Sequence, residues 1–121
     1  MVEFFFDTYA LIEMANGNPS YNRFKEAKGH TTLFNLYELY VQTLKNSGED
    51  LAKKAFGNCK KILIEVKDIH IFLAAALKTR DKKTHFSYTD ALGYAIAEAE
   101  GKMFVTGDNE FRNIPNVQFV R

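Results

Sequence analysis

Short apolar runs alternate with stretches of helical period along the whole chain, and this order restricts the fold more than any other feature. Residues 2–6, 62–64, 103–105 and 117–120 are too short for core helices and read as strands, the second of them rich in β-branched side chains. Residues 30–33 are a weaker strand candidate. Between the strands, residues 8–15 read as a helix stopped by Asn16-Gly17-Asn18-Pro19, and 20–28 as a second with Gly29 as its stop. Leu33, Leu36, Tyr37, Tyr40, Val41 and Leu44 follow the i, i+3, i+4, i+7, i+8, i+11 pattern and predict an amphipathic helix ended by Asn46-Ser47-Gly48. The next helix, 49–58, is expected to face Leu51, Ala55 and Phe56 inward. Asp68 is placed to cap a helix with the stripe Ile69, Phe72, Leu73, Ala76 and Leu77, and a further helix opens at Ser87 and closes at Gly101. Alternation of this kind predicts an α/β layer fold with a mostly parallel sheet and right-handed crossovers. With only Pro19 and Pro115, no repeat and no low-complexity linker, residues 1–121 read as a single domain.

Composition narrows the function. A hydrophobic share of 46% suffices for a core, and 11 Phe and 6 Tyr without Trp make it an aromatic one. The lone Cys59 excludes an internal disulfide and a cysteine-type zinc site, so a reducing cytoplasm is expected. No basic leader and no apolar stretch approaching about 20 residues predicts a membrane span or signal peptide. His30, His70 and His85 have no zinc-protease spacing, no serine sits in a nucleophile elbow, and Gly107 alone is no phosphate loop. Tyr9 stands where an Asp-x-Asp phosphatase needs its second acid, and Asp7-Thr8 does not supply the acidic pair of a phosphoacceptor receiver.

Four acids fall where α/β sheets build sites, beyond the carboxyl ends of strands. Asp7 follows the first strand, and Asp108 follows the strand 103–105 within Thr106-Gly107-Asp108-Asn109. Glu38 lies about 130° from the centre of the apolar stripe of its helix and reaches the rim of the core. Asp90, in Ser87-Tyr88-Thr89-Asp90, opens a helix whose Ala91, Gly93, Ala95 and Ala97 permit close approach to the sheet. Taken singly, each Asp reads equally as a helix cap and Glu38 as a solvated helical acid. Together, four carboxylates at one edge repel and raise one another's pKa, and a hard divalent cation such as Mg²⁺ or Mn²⁺ resolves the conflict. Such a site suits phosphodiester hydrolysis.

Asp7-Thr8 after the first strand, Asn35-Leu36-Tyr37-Glu38-Leu39, Tyr88-Thr89-Asp90-Ala91 and Val105-Thr106-Gly107-Asp108-Asn109-Glu110-Phe111 together resemble the PIN-domain family, in size most like its VapC-type toxins. The resemblance covers essentially the whole chain. It implies a three-layer α/β/α fold with a mostly parallel sheet of about four to five strands. It implies an Mg²⁺- or Mn²⁺-dependent endoribonuclease cutting single-stranded RNA to 5′-phosphate and 3′-hydroxyl ends. By position, Asp7, Glu38, Asp90 and Asp108 would hold or orient the metal and its water, and Thr106 would orient a water or an Asp. Thr8 and Asn109 are weaker candidates for a supporting layer behind them. The expected partners are RNA, a small cognate antitoxin and a second copy of the chain. His85-Phe86-Ser87-Tyr88 departs from the more strongly charged pattern that often precedes the Asp90 position in relatives, which bears on substrate contacts.

The formal net charge of +1 conceals segregation: residues 45–61 and 78–83 each carry a surplus of +3, leaving −5 elsewhere. Lys45, Lys82 and Lys83 are the expected RNA-backbone contacts, and Phe86 and Tyr88 are candidates for stacking on bases. Phe34 and Leu39, off the helical stripe, are candidates for a partner face. The reading from another class is a non-catalytic RNA- or protein-binding module of the same fold.

Overall fold

The computed structural model describes residues 1–80 and 85–121. Strands β1 (Phe4–Phe6), β2 (Gly29–His30), β3 (Met103–Thr106) and β4 (Val117–Phe119) form one sheet in the order β2-β1-β3-β4, and every pairing is parallel. Helices α1 (Thr8–Ala15), α2 (Leu33–Ser47), α3 (Glu49–Lys60), α4 (Asp68–Arg80) and α5 (Tyr88–Ala99) cover it. Period-2 alternation assigns the layers. Phe5 and Phe104 point to one face and stack on each other at 5.7 Å between ring centres, packed with Ala91, Tyr94, Ala95 and Phe111 under α4 and α5. Phe6 and Val105 point to the other, against Ala10, Leu11, Tyr21, Phe24, Leu36 and Leu39 under α1, α2 and α3. The result is the expected three-layer α/β/α architecture.

Two expected elements change character. Residues 62–64 supply only one parallel bridge, Thr31 to Leu63, since β2 is itself two residues long and offers little edge to extend. The segment after the first turn is a 3₁₀ helix, Pro19–Phe24, and Gly29 enters β2 instead of stopping a helix.

Helices α2 and α4 keep their positions but present other faces to the core, whereas α3 packs Ala55 and Phe56 against it as expected. In α2, Leu36 and Leu39 are fully buried with Asn35, while Leu33 and Leu44 are exposed and Tyr37 is 70% exposed. The buried face is thus rotated about a third of a turn from the apolar stripe, and Leu39 is core instead of partner surface. In α3, Ala52 is buried and Leu51 exposed. In α4, an apolar sequence on nearly every side buries His70 and Ala74 and leaves Ile69, Phe72 and Leu73 exposed. Asp68 is the first residue of α4, and the backbone N–H of Lys67 donates to His70 Nδ1 at 3.0 Å, so His70 closes the start of this helix.

Candidate active site at the carboxyl edge of the sheet

Asp7 stands at the end of β1, 2% exposed. It is the N-cap of α1, accepting from the Ala10 N–H at 2.9 Å, and its own N–H donates to the Val105 carbonyl of β3 at 3.3 Å. Thr106, the buried last residue of β3, lies beside the Asp7 carboxylate and favours its charged form, and its hydroxyl accepts from the Asp108 N–H at 3.1 Å. Asp108 caps the 3₁₀ turn Asn109–Phe111, accepting from the Glu110 N–H at 3.0 Å. Asp90 closes a capping box with Ser87: the Ser87 N–H donates to Asp90 Oδ2 at 3.3 Å, and the Asp90 N–H to Ser87 Oγ at 3.1 Å. All three aspartates are therefore caps, and each cap uses one carboxylate oxygen. Two glycines bring these turns in. A Cβ on Gly93 would lie 2.8 Å from the Phe5 ring, so only glycine lets α5 carry Asp90 so near the sheet; one on Gly107 would collide with the Tyr9 ring and the Val120 carbonyl.

The fourth acid is fixed from across the fold. Glu38 Oε1 accepts the Thr8 hydroxyl at 2.5 Å, and Thr8 Oγ1 accepts from Asn35 Nδ2 at 3.1 Å. The Thr32 hydroxyl donates to Asn35 Oδ1 at 2.6 Å and accepts the Asn35 N–H at 3.2 Å, capping α2.

Electrostatics mark the four as one group. Burial, with Asp90 and Asp108 adding like charge, pushes the Asp7 carboxyl up to about 7 against the hydrogen bonds from Thr106 and Ala10. Asp90 is also raised, first by burial and then by Asp108 and Glu38, against its bonds from Ser87. Among the described residues none of the four is in a salt bridge.

The PIN-domain family model matches residues 4–117. The chain belongs to the PIN-domain family. No curated protein matches the sequence. Among solved structures, the PIN domain described here is similar in fold to Mycobacterium tuberculosis VapC20, a sarcin-ricin loop cleaving toxin, with a TM-score of 0.82 at 17% identity over 98% of this chain and 99% of that one. VapBC2 from Rickettsia felis, bound to a DNA fragment from its promoter, gives 0.77 at 20% identity over 99% and 100%. A toxin–antitoxin complex from Klebsiella pneumoniae gives 0.73 at 22% identity over 95% of each chain.

The other candidate residues divide. Thr8 reaches an acid directly, whereas Asn109 turns away, its Oδ1 accepting from Arg112 and Arg121 at 3.3 Å each. Lys45 is exposed in the last turn of α2, seven residues beyond Glu38 and so about 10 Å along the same side of the helix. Lys82 and Lys83 lie outside the described residues. Phe86 is buried and stacks on Phe111 at 4.2 Å, a core residue instead of a base platform. Tyr88 is 83% exposed, with Lys78 Nζ 4.6 Å from its ring centre. A groove of about 450 Å³ lined by Thr8, Ile12, Tyr37, Glu38, Val41 and Gln42 runs from the site between α1 and α2. Sequence reasoning missed Asn35 and Thr32 as members of the network, whereas Ser87 caps α5 with Asp90 as the capping-box pattern predicts. The capping signals at Thr32 and Ser87 are visible in sequence, but the contact of Asn35 with Thr8 spans 27 residues and has no local signature.

Donor chemistry fits a hard divalent cation: carboxylate oxygens, one of them raised to about 7 chiefly by burial, with like charge adding to it. Among the described residues no three or more Asp, Glu, His or Cys side chains form a ready-made metal cage. The acids form an open rim, with Asp7 deepest.

Proposed function

We propose that this PIN domain is a divalent-metal-dependent endoribonuclease acting on single-stranded RNA, the toxin member of a VapBC-type pair. The observation that carries the reading is the mutual field of Asp7, Asp90, Asp108 and Glu38 at the carboxyl edge of a PIN-domain sheet. These four residues would hold Mg²⁺ or Mn²⁺, which when bound lowers the pKa of a water and offsets charge on the leaving oxygen. Thr106 orients Asp7, Thr8 orients Glu38, and the caps hold Asp90 and Asp108 before any substrate arrives. The products are a 5′-phosphate and a 3′-hydroxyl. Lys45 is the proposed backbone contact and Tyr88 a stacking surface for an unpaired base, with the groove between α1 and α2 as a path for the strand.

A small antitoxin and a second copy of the chain are the proposed protein partners. The exposed Leu33, Phe34 and Tyr37 of α2 and Ile69, Phe72 and Leu73 of α4 supply apolar surface for them. The similarity in fold to the K. pneumoniae toxin–antitoxin complex and to R. felis VapBC2 supports an antitoxin. Among the described residues no helix is long and apolar enough to cross a membrane, and the cytoplasm is the proposed location.

The test is cleavage of single-stranded and duplex RNA by purified protein in EDTA, Mg²⁺ and Mn²⁺. Asp90→Asn and Asp108→Asn retain their caps and are expected to lower metal-dependent cleavage of single strands more than ~100-fold. Equal cleavage by wild type and variants overturns the assignment. The second reading, a non-catalytic RNA- or protein-binding module, has on its side the lack of a ready-made cage among the described residues. RNA binding by the wild type without metal-dependent cleavage decides for it.

A further inference from the structure

We propose that Asn35 is a positioning residue for Glu38, acting through the Thr8 hydroxyl; the inference rests on the metal-site reading above. Asn35 is 1% exposed on a helix whose apolar Leu33 and Tyr37 lie in solvent. A buried amide is costly unless satisfied, and the bonds that satisfy this one have a direction. The Thr32 hydroxyl has one proton and donates it to Asn35 Oδ1. That fixes the amide so that Nδ2 faces Thr8, where it donates to Oγ1. With a lone pair of Thr8 so engaged, the Thr8 proton is directed to Glu38 Oε1. Each group donates toward Glu38, and each hydroxyl uses its single proton once.

Capping α2 needs only the Thr32 oxygen and the Asn35 backbone N–H. The Asn35 side chain is not required for the cap, and its amide is spent on reaching α1. The chain of bonds ties the first turns of α1 and α2 together at the residue next to Asp7. It holds one Glu38 oxygen and so sets where the other can point. Glu38 is the only one of the four acids without a cap to orient it, which is why its placement depends on this relay.

The test is Mn²⁺ binding to metal-free protein without RNA, followed by the spin-resonance signal of free Mn²⁺, with thermal stability recorded alongside. Asn35→Leu and Thr8→Val each remove the relay and are expected to weaken Mn²⁺ binding about tenfold. Thr8→Ser keeps the hydroxyl and is expected to stay within about threefold of wild type. In a Glu38→Gln background, where binding is already weakened, neither substitution adds a further loss, because both act through Glu38. Should Asn35→Leu not fold, Thr8→Val carries the same comparison. The proposal is overturned if Asn35→Leu and Thr8→Val lower stability yet leave Mn²⁺ affinity within twofold of wild type. It is also overturned if their effects persist undiminished in the Glu38→Gln background. A wild-type protein that binds no Mn²⁺ overturns the metal-site reading itself, a result distinct from either.

Discussion

The two edges of the sheet treat charge in opposite ways. At the amino edge a single carboxylate, Glu3, meets Lys102 at 2.7 Å and Lys28 at 3.5 Å. At the carboxyl edge Asp7 feels the charges of Asp90 and Asp108, Asp90 feels those of Asp108 and Glu38, and among the described residues none of the four is in a salt bridge. The same strands end in both places, so the fold does not dictate the difference. At the amino edge charge is neutralised within the chain and contributes to stability. At the carboxyl edge burial and like charge raise the Asp7 and Asp90 carboxyls instead, at the expense of stability. Unbalanced charge held in place by caps marks a candidate site.

Asp7→Asn is expected to have the largest effect on this contrast. The folded carboxyl sits at about 7 against an ordinary value of 3.8, so the folded state binds the proton more tightly. Stability of the metal-free wild type therefore falls as pH rises from about 4 to about 7. The amide still accepts from Ala10 and carries no charge. In EDTA at pH 8 the variant should be more stable than wild type by roughly 4 kcal/mol, a gain that vanishes near pH 4. Urea unfolding across this pH range, with and without Mg²⁺, measures it, and a variant less stable than wild type at pH 8 breaks the contrast.

Gly93→Ala comes next. The new Cβ meets the Phe5 ring at 2.8 Å and the Phe104 ring at 3.3 Å, and overpacking outweighs the helix propensity gained, for a net loss of about 1–2 kcal/mol. Moving α5 outward also carries Asp90 from the sheet, so Mn²⁺ affinity should fall with stability. Unchanged affinity would show that the position of α5 does not matter to the acid edge.

Lys102→Met at the amino edge is expected to give the smallest effect and the opposite pH dependence. The Lys102 ammonium holds the Glu3 carboxyl below its ordinary 4.5, so its contribution is present above that pH and lost as pH falls through the lowered value. The variant should melt a few degrees lower at pH 7, with the gap closing in acid and no change in Mg²⁺ response. A changed Mg²⁺ response would mean that the two edges are coupled.

The strands were legible because β1 and β3 are short runs of aromatic and β-branched residues, and the acids because each follows a strand end or opens a helix. Burial was less legible. The stripe of α2 through Leu33, Tyr37 and Leu44 is apolar, yet the helix docks through Leu36 and Leu39, with Asn35 buried beside them. Periodicity identifies an apolar face but not the neighbour that claims it, and the neighbours of α2 are α1 and α3. The cap reading and the site reading of the aspartates, treated in sequence as rivals, hold together, since a cap occupies one oxygen of two. The Asn35–Thr8–Glu38 relay was invisible because it is made by contacts between helices, not by spacing within one.

The register of β1 against β3, Phe4 beside Met103 and Phe6 beside Val105, joins segments nearly a chain length apart. Asp7 takes its backbone bond from Val105 and its hydroxyl partner from Thr106. A polypeptide emerging from the ribosome thus has Asp7 and Glu38 early but cannot assemble the acid edge until residues 103–108 have been made. Such non-local pairing is the slow step in folds of this kind. The acid edge therefore depends on a pairing that only residues 103–108 complete.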